Sequence, residues 1–121
     1  MRAVVAVGVG GFLGTVCRYL MTLIPISEKT AFPVVTLTIN ILGSLLIGIL
    51  AGLTAKYEGM NADLMAFLRV GICGGFTTFS TFALESVNLM GSGKMWMGIA
   101  YMALSLILGI AAVLAGKAIA A

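Results

Sequence analysis

Residues 71–86 read GICGGFTTFSTFALES. Directly after a glycine pair, Gly74-Gly75, the hydroxyls of Thr77, Thr78, Ser80 and Thr81 interleave with the rings of Phe76, Phe79 and Phe82. Such a stretch predicts an interrupted helix near Gly74–Thr81. Freed carbonyls at a break suit a hard cation, whereas freed amides and hydroxyls are anion donors. A phenyl ring has a positive edge, so it attracts an anion weakly, without a full charge to trap it. Conduction needs sites of that kind, favourable enough to fill and weak enough to empty. On these residues alone a cation site and an anion path both stand open. Ordinary core packing explains a phenylalanine equally well, and Phe76 is assigned to it; the ion-facing role falls to Phe79 and Phe82.

The elements that must position these groups are membrane spans. Of 121 residues, 61% are hydrophobic and 9% charged, against about 25% charged in soluble domains, and the mean hydropathy is +1.18. Four apolar runs approach the ~20 residues a spanning helix needs. They cover residues 3–24, 33–55, 64–90 and 95–116. The connections carry loop signals: Pro25 to Thr30 with Glu28 and Lys29, Lys56 to Asp63, and Gly91 to Lys94. The expected fold is a single all-α integral membrane domain over residues 1–121, with helices running up-down-up-down and both termini on one side. The first run imitates a secretory signal, but Val16 precedes Cys17 where a lipid-attachment site needs a small residue. The run also continues to Ile24, so it reads as a span.

Lipid-embedded helices associate through close backbone approach. Small-xxx-small pairs at Gly10/Gly14, Gly48/Gly52 and Gly71/Gly75 supply it. Positive charge hardly orients the chain: Arg2, Lys56, Arg69 and Lys117 lie toward the termini, Arg18, Lys29 and Lys94 toward the opposite face. Insertion in both orientations is therefore open to it, and so is an antiparallel homodimer, since four helices are few to enclose a pathway.

Polar groups inside a membrane are functional candidates by default. Asn40 reads either as interhelical glue or as a donor amide facing a pathway; Thr36 and Ser44 share its face. Tyr101 and Ser105 sit in the last span. Arg18 and Glu85 both fall near the face opposite the termini, which suits snorkelling or a mutual ion pair. Arg69 reads as an interfacial anchor. Enzyme chemistry has no materials here. There is no His, no paired carboxylate, and no metal-ligand spacing around Cys17 and Cys73. VGVGGFLG at 7–14 lacks the third glycine of a dinucleotide fingerprint. The basic residues are too scattered to form a nucleic-acid face.

Three stretches carry a family resemblance: GGFLGTVCRY at 10–19, FPVVTLTINILGSLLIG at 32–48 and GICGGFTTFSTFALE at 71–85. With them the chain resembles, over essentially its whole length, the CrcB/Fluc-type fluoride channels. The resemblance implies a dual-topology antiparallel homodimer in the prokaryotic cell membrane, with two pores for passive fluoride export. It implies a structural sodium ion held by backbone carbonyls of Gly74 and Thr77 from both subunits. It further implies an ion pathway past Phe79 and Phe82, with Asn40 as donor, Ser80 and Thr81 beside them, and Tyr101 and Ser105 along the last helix. Gly109 stands where some members carry a further hydroxyl. Arg18 and Glu85 match family positions as structural or vestibule charges.

Two other readings compete. A small proton-coupled multidrug antiporter would share the size and topology, but needs an acid in the first span, which holds Arg18 instead. A packing subunit of a larger membrane complex would explain the glycines, but not the clustered hydroxyls and phenyl rings.

Overall fold

The computed structural model describes residues 1–26 and 29–121; the loop signal at Glu28 lies outside them. Among the described residues all regular structure is helical. Helix α1 is Arg2–Thr22, α2 is Val34–Lys56 and α3 is Ala62–Met65. A π-helical stretch follows at Ala66–Cys73, then α4 at Gly74–Phe76, α5 at Phe79–Gly91 and α6 at Met95–Ala120. The segments from α3 to α5 form one long span, Ala62–Gly91, so four helices have the length and hydropathy to cross a membrane. The last of them continues to Ala120, a turn past the expected boundary at 116.

The ends follow local chemistry. Asn61 caps α3, its side chain accepting the Leu64 amide at 3.0 Å. Between α5 and α6 the chain reverses through Gly93, whose φ of 81° lies in the left-handed region that favours glycine.

Glycine decides which helices touch. A Cβ on Gly10 would lie 2.5 Å from the Phe67 carbonyl oxygen and 3.0 Å from the Gly71 Cα. One on Gly75 would lie 2.7 Å from the Gly11 carbonyl oxygen, and one on Gly14 would collide with Ile72. The pairs Gly10/Gly14 and Gly71/Gly75 are thus two halves of one contact that seats α1 against the π-helical stretch and α4. On the other side α2 lies along α6. There a Cβ on Gly116 would stand 2.7 Å from the Ile49 nitrogen, and one on Gly52 2.8 Å from the Ala120 Cβ. The outward faces are apolar and uncovered, with Phe12, Val70, Ile107, Ile110 and Leu114 all exposed, as lipid-facing helices require.

Only part of the third span was legible as broken. Gly74 keeps helical dihedrals (φ −65°, ψ −37°). The interruption falls at Thr77 and Thr78, both extended, with φ and ψ of −81°, 158° and −146°, 120°. The glycine pair therefore does not break the helix: Gly75 serves the approach of α1, and the threonines make the break. Upstream, the π-helical stretch widens the helix immediately before it, a local distortion of the kind that clusters at functional sites.

This packing predicts that Gly10→Ala destabilises the protein by about 1–3 kcal/mol, the range for inserting a methyl where backbone is already in contact. Gly8→Ala, where a Cβ meets nothing within 4 Å, has no such effect. Thermal unfolding in detergent, followed by loss of the monodisperse elution peak, checks the pair; equal melting temperatures would refute the contact.

Candidate functional site

A break inside a membrane leaves backbone groups that water cannot satisfy, so the first question is where they go. Each threonine closes one edge. Thr77 donates both its amide (3.0 Å) and its hydroxyl (2.8 Å) to the Cys73 carbonyl, finishing α4. The Thr78 hydroxyl accepts the Thr81 amide at 3.2 Å and so starts α5. Across the gap stands Asn40 of α2. Its Oδ1 accepts the Thr78 amide at 2.8 Å, and its Nδ2 donates to the Thr78 carbonyl at 3.1 Å. A full backbone position is thereby satisfied by one side chain. Gly43, one turn along α2, makes room: a Cβ there would collide with the Thr77 methyl.

Because Thr78 gives its amide to Asn40, the Gly74 carbonyl loses the donor that an uninterrupted α-helix would offer it. Among the described residues no side chain and no amide outside the helices donates to the Gly74 or Thr77 carbonyl. The Gly75 carbonyl between them is occupied: Arg18 Nε donates to it at 3.0 Å and the Thr15 hydroxyl approaches at 3.5 Å. Gly74 itself faces outward, with nothing but the Arg69 carbonyl oxygen, at 3.9 Å, near an added Cβ.

These groups border a groove of about 390 Å³ between α2, the broken span and α6. Asn40, Thr77, Thr78, Phe79, Phe82 and Ser105 line it, with Arg69 also on its wall. Arg69, read from sequence as an anchor, thus contributes a cation to the groove. The Ser105 hydroxyl is buried there without a hydrogen-bond partner. Opposite Gly109 the Ser44 hydroxyl, 3.8 Å from an added Cβ, provides a polar atom.

An aromatic file leads away from the groove. Phe79 and Phe82 have ring centroids 5.8 Å apart, Phe82 and Tyr101 5.2 Å, and Tyr101 meets Phe32 edge-on at 5.6 Å. Phe76 has no place in it. Phe79 is 79% exposed, whereas Tyr101 is fully buried, its hydroxyl donating to Glu85 Oε1 at 3.0 Å. Glu85 Oε2 accepts the Thr36 hydroxyl at 3.1 Å.

The sequence-predicted residues therefore separate into groups. Asn40, Phe79, Phe82 and Ser105 meet on the groove, Gly74 and Thr77 at its edge, and Tyr101 with Glu85 at the far end of the aromatic file. Ser80 and Thr81 do not reach the groove of this chain. Phe79 and Phe82 lie three residues apart and share a face of α5; the two residues between are turned about 100° and 200° from Phe79. The mutual ion pair of Arg18 and Glu85 does not form. Arg18 is committed to a carbonyl of the broken span and Glu85 to two hydroxyls. The one ion pair among the described residues is peripheral, Arg2 with Asp63 at 3.8 Å. Phe32 is the participant the sequence reading left out; Thr36, placed on the Asn40 face by its four-residue spacing, and Thr78, named among the hydroxyls, were given no partner there.

Comparison with known proteins bears on the whole chain. Residues 5–117 match the family described as CrcB-like protein, Camphor Resistance (CrcB). A protein of Ruminiclostridium cellulolyticum named Fluoride-specific ion channel FluC is 48% identical over 121 residues, covering 99% of this chain and 93% of its own length. Proteins of the same name from Nitrobacter winogradskyi and Methanopyrus kandleri are 47% and 42% identical. They cover 93% and 98% of this chain, and 90% and 89% of their own lengths. The GGFTTFSTF stretch, the four spans and the match from the first helix to the last agree, and the chain belongs to the CrcB-like family of membrane proteins.

Proposed function

We propose that the chain is a fluoride-selective channel for passive export of the ion across the cell membrane, working as an antiparallel homodimer. The observation that carries the reading is the groove. It gathers amide, hydroxyl and ring-edge groups beside a helix break, in a chain whose membrane-embedded segments otherwise present apolar side chains to lipid. Relatives over nearly the full length bear the name of that activity.

Fluoride is small and holds water tightly, so a path that strips it must offer successive donors. Asn40 Nδ2 has two hydrogens and gives one to Thr78; the second is available to an ion. The unpartnered Ser105 hydroxyl supplies another donor. Ring edges of Phe79 and Phe82 replace hydration without trapping charge. The groove is open along one side, where Phe79 and Gly74 face outward. A second copy would close it and bring Ser80 and Thr81, exposed or half-buried on the neighbouring face, to the pathway.

The donor set also fits a structural sodium ion. The Gly74 and Thr77 carbonyls border the break on the groove, and hard cations take oxygen ligands of this kind. When bound, sodium would supply positive potential beside the groove, lowering the cost of dehydrating an anion, while the Arg18 guanidinium is committed to the Gly75 carbonyl. The Arg18 bond takes the Gly75 carbonyl and leaves those of Gly74 and Thr77 to the cation.

The reading is tested by fluoride efflux from liposomes holding the purified protein, followed with a fluoride electrode after valinomycin is added to a potassium gradient. Rapid fluoride release with chloride retained is expected; no release from well-folded protein would end the proposal. Within that assay Phe79→Ile and Phe82→Ile slow efflux by roughly two- to tenfold, the rate equivalent of the ~0.5–1.5 kcal/mol assigned to an aromatic edge contact. Phe76→Ile does so much less, and equal effects at all three positions would point to packing. Asn40→Asp abolishes flux, because a carboxylate can no longer donate to Thr78 and sets a like charge in the path. Normal flux in that variant would remove Asn40 from the pathway.

A further inference from the structure

The groove accounts for only part of the membrane's depth. Past the layer of Phe82 and Tyr101 lies a second cavity of about 320 Å³, beneath the 30–33 connection and the turn between α5 and α6. Glu85 and Phe32, both in contact with Tyr101, form its inner side. Thr30, Asn88 and Lys94 line it where it meets solvent, and all three are exposed. We propose that this chamber binds a small hydrated anion, as the second mouth of the fluoride path, with Lys94 and Asn88 as its principal donors. The inference rests on the channel reading above.

Size, donors and charge argue for it. The volume corresponds to roughly ten waters at ~30 Å³ each, room for an ion with its hydration shell. Beyond it the Phe82 and Tyr101 rings pack with centroids 5.2 Å apart, so the chamber is where hydrated ion and dehydrating path meet. Glu85 turns both oxygens inward, one to Tyr101 and one to Thr36. What the walls offer a ligand is therefore chiefly donors: the Lys94 ammonium, the Asn88 amide and the Thr30 hydroxyl. The Thr30 oxygen already accepts the Phe32 amide at 3.2 Å and keeps its own hydrogen to give. A carboxylate at the inner wall repels an approaching anion unless a cation stands beside it, and Lys94 is the lysine or arginine on this lining. Lys29, toward the same membrane face, lines neither the chamber nor the groove.

Fluoride current across planar bilayers, measured against fluoride concentration, separates the outcomes. Lys94→Glu is expected to lower current roughly three- to sixfold well below saturation, the size expected for reversing one unit charge about 8–12 Å from the ion in a water-like dielectric. Currents converge at saturating fluoride, and an impermeant salt narrows the gap. Lys94→Gln and Asn88→Ala give smaller shifts in the same direction, and Lys94→Arg restores wild-type behaviour. Lys29→Glu serves as the control for diffuse surface charge. An unchanged concentration dependence in both Lys94→Glu and Lys94→Gln, or an equal loss in Lys29→Glu, would overturn the chamber and leave the channel standing. A wild-type protein that carries no fluoride would overturn both.

Discussion

The reciprocal pair between the Asn40 amide and the Thr78 backbone, at 2.8 and 3.1 Å, is the interaction on which the site depends. Lipid offers no partner to an open backbone position, and each unsatisfied group there costs several kcal/mol. A primary amide has one acceptor and one donor in the geometry of a peptide unit, so it can stand in for the missing turn. A hydroxyl from α2 would have satisfied one side of Thr78 and left the other exposed. With Asn40 in place the chain can remain extended for two residues at membrane depth, and α5 can start afresh with Phe79 and Phe82 on the face that borders the groove.

That substitution has a second consequence. Taking the Thr78 amide away from Gly74 converts an ordinary helical carbonyl into a free one, and the turn at Thr77 leaves another. The neighbouring Gly75 carbonyl does not remain free because Arg18 reaches it. The amide of Asn40, the threonine cap at Cys73 and the guanidinium of Arg18 thus set the carbonyls of the break apart: Arg18 takes Gly75, while Gly74 loses its helical donor on an exposed face. Arginine suits this task, since its guanidinium donates from a rigid planar fork. Glycine at 75 lets α1 approach closely enough for Arg18 to arrive.

Much of this was written in the sequence, though unevenly. The four spans follow from hydropathy because lipid leaves helices few alternatives, and the helix contacts follow from glycine spacing because only backbone can approach backbone. The break was legible as a region. Its position was not, since a glycine pair permits a kink as readily as it permits a close neighbour, and the choice depends on α1. The π-helical stretch left no mark at all: Ala66–Cys73 contains no proline, and its widening answers to tertiary packing. Arg18 and Glu85 were paired by depth, which sequence gives, when the deciding variable was the direction each faces around its helix. Tyr101 and Glu85 lie 16 residues apart across a turn, and Thr36 lies 49 residues from Glu85. No local pattern links positions so separated.

Glu85 is the group whose presence most needs an argument in an anion path. A carboxylate there would repel the ion if its oxygens lay open. Each of its oxygens accepts one hydroxyl, from Thr36 or Tyr101, which spreads part of its charge into those bonds, while the Tyr101 ring continues the aromatic file toward Phe32. The acid then acts through orientation: it fixes the tyrosine hydroxyl and the threonine hydroxyl in one arrangement and leaves donor hydrogens from other residues to meet the ion. Positive charge is kept to the two ends, Arg69 on the groove and Lys94 on the outer chamber. Between them the polar surface is uncharged apart from the anchored carboxylate. In the proposed path, charge at the mouths and weak polarity within would concentrate an ion at either end without holding it in the middle, which is the condition for passage in both directions.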